Sequence, residues 1–200
     1  MSTPLPVMEQ FYTLQGEGVY SGRAAYFIRL GGCDVGCVWC DVKDSWDASL
    51  HEKVTPEDIV LQAQQHPSRI AVITGGEPAM YDLTELTSAL KAADFTVHIE
   101  TSGAYPLIGH FDWITFSPKK FKAPLKEVAH LAHELKIVVF NASDFIWAES
   151  HAKEVSDVCR LFLQPEWDKS AKMLPQIIDY IKEKPVWSVS LQTHKYLDIP

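Results

Sequence analysis

The feature that most constrains this fold is an alternation. Short apolar runs recur along the chain, separated by segments of helical periodicity. The runs are Ala25–Leu30, Ile70–Thr74, Thr96–Glu100, Trp113–Ser117, Lys136–Phe140, Cys159–Leu163 and Val186–Leu191. This is the pattern of an α/β architecture with mostly parallel strands. The clearest helix start is Thr55 as N-cap, with Pro56 first in the helix and Glu57 and Asp58 in its first turn. Further helices are expected over about Leu83–Ala93, Leu125–Glu134 and Ser170–Glu183. There is no internal repeat, low-complexity tract or long linker, so residues 1–200 are expected to form a single domain.

The polar motifs sit at one end of these runs. Gly31-Gly32-Cys33 follows the first, Gly75-Gly76-Glu77-Pro78 the second, Thr101-Ser102-Gly103 the third and Pro118-Lys119 the fourth. Gln164-Pro165 follows the sixth and Gln192-Thr193-His194 the seventh. In barrel-like parallel sheets, the loops after the strands line the ligand face, so these groups converge on one site. Seven expected strands are fewer than the eight of a closed barrel, which predicts an open, partial TIM-like barrel. A doubly wound sheet obeys the same rule and stays open as an alternative.

Charge narrows the function. The formal net charge is −8, and the densest basic group is only Lys119, Lys120 and Lys122, which argues against a nucleic-acid partner. No apolar run reaches the roughly 18 residues that span a bilayer. The opening MSTPLPVMEQ lacks the basic and apolar regions of a signal peptide. A cytoplasmic protein with no membrane partner is expected.

Three of the four cysteines fall within eight residues, as Cys33-x3-Cys37-x2-Cys40 in GGCDVGCVWCD. Clustered thiols in such a chain point to metal rather than to disulfides. Three thiolates on a Gly-flanked loop suit three irons of a [4Fe–4S] cubane, leaving the fourth iron open to an exogenous donor. A structural zinc site would want a fourth ligand, and the nearest histidine, His51, lies eleven residues past Cys40 in a charged segment. The fourth cysteine, Cys159, reads as a small buried apolar residue in a strand.

The cysteine spacing, with aromatic Trp39 before the last cysteine, resembles the radical S-adenosylmethionine superfamily. Gly75-Gly76-Glu77-Pro78 resembles that superfamily's GGEP motif, whose role is to hold the methionine amino group. The resemblance implies a cluster on Cys33, Cys37 and Cys40 that cleaves S-adenosylmethionine to a 5′-deoxyadenosyl radical.

The resemblance narrows further. Gln15-Gly16-Glu17-Gly18, Phe27-Ile28-Arg29-Leu30, Glu100-Thr101-Ser102-Gly103, Ser117-Pro118-Lys119 and Gln192-Thr193-His194-Lys195-Tyr196-Leu197 are similar to the 7-carboxy-7-deazaguanine synthase family. That implies ring contraction of 6-carboxy-5,6,7,8-tetrahydropterin to 7-carboxy-7-deazaguanine, with loss of ammonia, in queuosine biosynthesis. It also implies an electron donor such as flavodoxin or ferredoxin, and a homodimer. On this reading Leu14, Gln15, Gly16, Glu17, Arg29, Thr101 and His194 bind substrate, with Glu17 and Arg29 as catalytic residues. Trp39, Cys40, Asp41, Gly76 and Glu77 meet S-adenosylmethionine. So do Ser102, Gly103, Ser117, Pro118, Lys119 and Gln164. Physical chemistry points the same way for two groups. Glu17 and its loop backbone offer partners for a pterin edge, and Arg29 at the end of an apolar strand wants a bidentate partner such as a carboxylate.

The family usually places Thr after the Cys-Asp pair, where its hydroxyl helps bind a magnesium ion that also meets the substrate. Here Val42 follows Cys40-Asp41 and has no donor oxygen, which leaves substrate oxygens, water or Asp41 as ligands and puts the ion's affinity, or a need for Mg2+, in doubt. The sequence stops at Pro200, six residues after His194. Leu197 and Ile199 alternate with Asp198, which suggests a segment packed inward with the Pro200 carboxylate over the substrate pocket, as the family implies. A rival reading is an activase that makes a glycyl radical on a partner protein. It would need an open face, whereas a small-molecule enzyme folds its last residues over the site.

Overall fold

A computed structural model describes residues 2–200. A nine-stranded sheet runs through it in the order β3-β1-β2-β4-β5-β6-β7-β8-β9. The strands are β1 (Leu5–Leu14), β2 (Ala24–Leu30), β3 (Glu52–Val54), β4 (Ile70–Gly75), β5 (Thr96–Thr101), β6 (Trp113–Phe116), β7 (Glu134–Val139), β8 (Arg160–Pro165) and β9 (Trp187–Val189). From β2 to β9 all neighbours are parallel. These are the seven expected strands in chain order, and the sheet does not close. It is a partial barrel, not a doubly wound sheet.

Two strands lie outside the expectation. Strand β1 pairs antiparallel with both β2 and β3 and extends the open edge. Its register slips between Val7 and Glu9, which breaks the period-2 pattern by which a strand is read.

The helices are α1 (Pro56–Ala63), α2 (Thr84–Ala92), α3 (Lys126–Leu131), α4 (Asp144–Ala152), α5 (Ser170–Glu183) and α6 (Thr193–Leu197). Thr55 caps α1 as expected: its Oγ1 accepts from Asp58 N at 3.2 Å. Helix α3 ends earlier than its pattern suggested, and the strand after it begins at Glu134 rather than Lys136. Helices α4 and α6 were not foreseen. Among the described residues, no helix is long and apolar enough to cross a membrane.

Alternation along the parallel strands builds two different faces. The outer face is apolar. Tyr26, Ile28, Ile73, Val97 and Ile99 pack with Ile59, Leu86 and Leu90 of α1 and α2. Phe116, Leu135, Ile137 and Leu163 pack with Val128, Ala148, Met173 and Ile177 of α3, α4 and α5. Cys159 is buried in this second core, one residue before β8. The intervening residues face the barrel interior, and Arg29, Thr74, Glu100, Lys136 and Gln164 among them are polar and line the cavity. The sheet thus carries its charge where the loops after the strands converge.

Candidate active site

A cavity of about 510 Å3 opens at the carboxyl ends of the parallel strands. Cys33, Cys37 and Cys40 line one side of it, on the loop after β2. The loop is closed by its own backbone, with Gly32 N to Ser45 O at 2.6 Å, Cys33 N to Trp46 O at 3.1 Å and Cys40 N to Cys37 O at 3.1 Å. Asp34 ties it to the next loops through Tyr105 Oη and, at 2.7 Å, Lys122 Nζ. Burial pushes the Cys33 thiol up and the Cys37 thiol to about 11, and the neighbouring sulfurs add to this. Iron ligation displaces such protons. Three thiols on one rim fit a three-cysteine cluster with an open fourth iron. A structural zinc would want a fourth protein donor beside these sulfurs, and the remaining cysteine, Cys159, lies in the second core away from the rim.

The Gly75-Gly76 turn lies against this loop. A Cβ on Gly76 would sit 2.2 Å from Gly32 O and 2.8 Å from Cys33 Cβ, so only glycine allows the approach. Gly76 N donates to Leu30 O at 3.0 Å and Glu77 N to Gly32 O at 2.9 Å. Glu77 is buried and fully engaged. Its Oε1 accepts from Ala79 N at 3.1 Å and Thr101 Oγ1 at 2.6 Å; its Oε2 accepts from Ser102 N at 2.8 Å and from Ser102 Oγ. Two strand ends are thereby locked together beside the cysteines. Lys119 Nζ donates to Ser117 O at 2.6 Å and Oγ at 2.7 Å, and lies 6.0 Å from the Trp39 ring centroid. Burial pulls the Lys119 ammonium below its ordinary value. Gln164 is held through Ser190 Oγ, which donates to its Oε1 at 2.7 Å.

The floor is a charged chain. Lys136 Nζ donates to Glu17 and to Glu100 Oε2, the latter at 3.0 Å. Gln15 Nε2 donates to Glu100 Oε1 at 2.9 Å, and Glu17 N to Gln15 Oε1 at 3.1 Å. Burial opposes both charges, but the mutual attraction prevails. It holds the Lys136 ammonium above, and the Glu100 carboxyl below, their ordinary values.

The roof comes from the chain's last residues. Thr193 donates to Gly16 O through its N at 3.0 Å and its Oγ1 at 2.8 Å. A Cβ on Gly16 would meet His194 Nδ1 at 2.1 Å, so the substrate-loop glycine and this histidine are in close contact. The segment is the short helix α6, not the inward-packed extended run expected, and Leu197 is 58% exposed. Ile199 N donates to His194 O at 3.2 Å, and Pro200 lines the cavity. The face is covered, as a small-molecule site requires and as an activase would not have it.

Of the residues singled out from sequence, all but two line this one cavity. Gly103 instead makes a turn at φ +76, where a Cβ would meet Phe116 Cε2 at 2.5 Å. Pro118 is not part of the lining. Arg29 does line it, but its Nε already donates to Glu9 Oε1 at 2.6 Å, so burial alone does not demand a ligand. Among the other lining residues, Glu100 and Lys195 stood in the quoted motifs without a role, and Lys136, Trp46 and Trp167 were not singled out. For Lys136 there was a signal: a charged residue within the apolar run ELKIVV.

A magnesium site does not fit. Asp41 Oδ2 is taken by Lys195 Nζ at 2.7 Å, and Val42 brings no oxygen.

The parallel partial barrel with a three-cysteine rim defines a radical S-adenosylmethionine protein, and the family model of the Radical SAM superfamily matches residues 27–139. The 7-carboxy-7-deazaguanine synthase of Flavobacterium psychrophilum is 55% identical over 98% of this chain and 93% of its own length. That of Synechocystis is 47% identical over 100% and 95%. The crystal structure of QueE from Escherichia coli superposes with a TM-score of 0.83 at 32% identity, covering 94% of this chain and 93% of its own. The chain belongs to the 7-carboxy-7-deazaguanine synthase family.

Proposed function

We propose that this protein contracts 6-carboxy-5,6,7,8-tetrahydropterin to 7-carboxy-7-deazaguanine with release of ammonia, in queuosine biosynthesis. The observation that carries the reading is the shared cavity: the cysteine rim, the Glu77 hub and the Gln15-Gly16-Glu17 loop all border it. When bound, the [4Fe–4S] cluster and S-adenosylmethionine supply the radical that takes a hydrogen from the substrate. Cys33, Cys37 and Cys40 hold the cluster. Glu77, with Gly76, orients the methionine end, and Trp39, Ser102, Ser117, Lys119 and Gln164 contact the rest.

The chain's own groups hold the pterin. Glu17, paired with Lys136, accepts from the ring amino and N–H groups, and Gln15 and the backbone of Leu14 and Gly16 read the same edge. Arg29 offers guanidinium N–H groups beyond the one given to Glu9, a fit for the substrate carboxylate. Thr101 and His194 flank the ring. The roof of α6 keeps water from a reactive intermediate. In this reading the enzyme works in the cytoplasm as a homodimer. It takes electrons from a donor such as flavodoxin or ferredoxin, and binds neither nucleic acid nor membrane.

The test is anaerobic incubation of the iron-reconstituted protein with the carboxytetrahydropterin, S-adenosylmethionine and a reductant, read by mass spectrometry. Formation of 7-carboxy-7-deazaguanine and ammonia is expected. Cleavage of S-adenosylmethionine without pterin conversion would overturn the substrate assignment.

A further inference from the structure

We propose that Lys195 supplies, as a fixed ammonium, the positive charge that a divalent ion would otherwise bring to the substrate carboxylate, so that this enzyme binds its pterin without magnesium. The inference rests on the pterin reading of the cavity and adds a residue and an ionic requirement to it.

Three observations meet at this corner. Asp41 follows the last cysteine of the rim and is the carboxylate a cation there would use. Val42, beside it, has no oxygen, and a hard cation such as Mg2+ needs oxygen ligands in near-octahedral array. Lys195 Nζ already stands 2.7 Å from Asp41 Oδ2. A divalent ion would have to displace the ammonium or share one carboxylate with it, against like-charge repulsion.

The ammonium is positioned rather than loose. Its residue sits on α6, where Lys195 N donates to Gln192 O at 3.0 Å, and Thr193 two residues earlier is bound to Gly16 O. Its Nζ lies 5.0 Å from the Trp167 ring centroid. One N–H goes to Asp41; an ammonium has three, so donors remain for a ligand in the cavity that Lys195 lines.

Lys136 and Lys119 each spend two donors on neighbouring groups, whereas Arg29 and Lys195 each give one N–H to a carboxylate and keep others free. Lys136 is held between Glu17 and Glu100, and Lys119 by Ser117. Arg29 and Lys195 thus have the most donors left to face an anionic substrate group, one from the sheet and one from the roof. The roof segment thus recognises the substrate as well as covering it.

Holoenzyme in metal-depleted buffer is compared with and without added MgCl2. The natural protein is expected to show the same KM for the carboxytetrahydropterin in both. Lys195→Met should raise KM, and the pterin Kd measured by equilibrium dialysis, on the order of tenfold or more, the loss of one charge-assisted hydrogen bond. Lys195→Arg, which keeps the cation, should stay within a few-fold. Unchanged S-adenosylmethionine affinity and cluster absorbance would show the variants folded. A natural protein that is inactive until Mg2+ is added overturns the proposal, as does a Lys195→Met variant with unchanged pterin KM and Kd. Absence of product in the natural protein under every condition, with S-adenosylmethionine still bound, would retire the pterin reading and this inference with it.

Discussion

Lys136 Nζ, on β7, stands 3.0 Å from Glu100 Oε2, on β5, across the concave side of the barrel. Strand β6 lies between them in the sheet, so the contact reaches over a neighbouring strand. Glu17 closes the chain from the loop after β1. One buried ammonium therefore couples the substrate loop to the strand that ends at Thr101, just before Ser102.

Lys136→Met should strand two carboxylates at the cavity floor. A cost of about 3 kcal/mol is expected in urea unfolding. Glu100 then loses its main stabilising charge, so its carboxyl pKa rises. In the natural protein that pKa is depressed, so its contribution is present at neutral pH and lost as pH falls through the acid range. Variant and natural protein should therefore converge in stability on acidification. An undiminished gap at low pH would remove the ion pair as the cause.

The cysteines divide cleanly. Ala at Cys33, Cys37 or Cys40 should abolish the visible absorption of the cluster and most bound iron. Cys159→Ala should leave both intact and cost about 1 kcal/mol as a small core deletion. Loss of iron in a folded Cys159→Ala protein would move the ligand assignment.

Much of the site was legible because it lies in loops, where Gly, Cys and Glu in fixed order have few structural explanations. The parallel strands were legible as apolar runs. Strand β1 was not, because its register slips at Met8 and its pairing is settled by two distant partners. Helix α6 was not, because five residues carry too little periodicity. Lys136 and Glu100 hid for another reason. Each belongs to a strand whose alternate residues are core, and only the curl of the open sheet shows that the remaining positions share one interior. Lys195 acquires meaning only when the roof brings it to Asp41.

Glu77→Gln tests the hub. The carboxylate accepts four hydrogen bonds, two on each oxygen. An amide offers one acceptor oxygen and turns an NH2 group toward donors such as Ser102 N. Thermal unfolding should register a loss of about 2 kcal/mol, and S-adenosylmethionine affinity should fall by about tenfold. Affinity unchanged in the face of lower stability would make Glu77 a structural brace only.

Gly16→Ala should act on binding rather than folding. The new methyl would overlap His194 Nδ1 and push the roof away from the substrate loop. The pterin KM should rise by roughly tenfold or more, with the melting temperature shifted by only a few degrees. Equal loss in KM and stability would mean that the roof is needed for the fold itself.

His98 gives the protein an acid sensitivity that has nothing to do with turnover. It lies on β5 beneath Glu100, buried, edge-on to Tyr20 with ring centroids 4.4 Å apart. Its Nε2 has no hydrogen-bond partner among the described residues. Burial drives its pKa down to about 4, and the attraction of Glu100 and Asp112 recovers only part of that. In the unfolded chain an imidazole titrates near about 6.5. Between the two values the unfolded state binds a proton that the folded state refuses. Stability must therefore decline as pH falls from about 6.5 toward 4, and this contribution levels off below. His98→Phe keeps the ring against Tyr20 and removes the titration. Urea midpoints measured across this window should fall less steeply in the variant than in the natural protein. Parallel curves would place the acid sensitivity elsewhere, with His151 the next buried imidazole to replace.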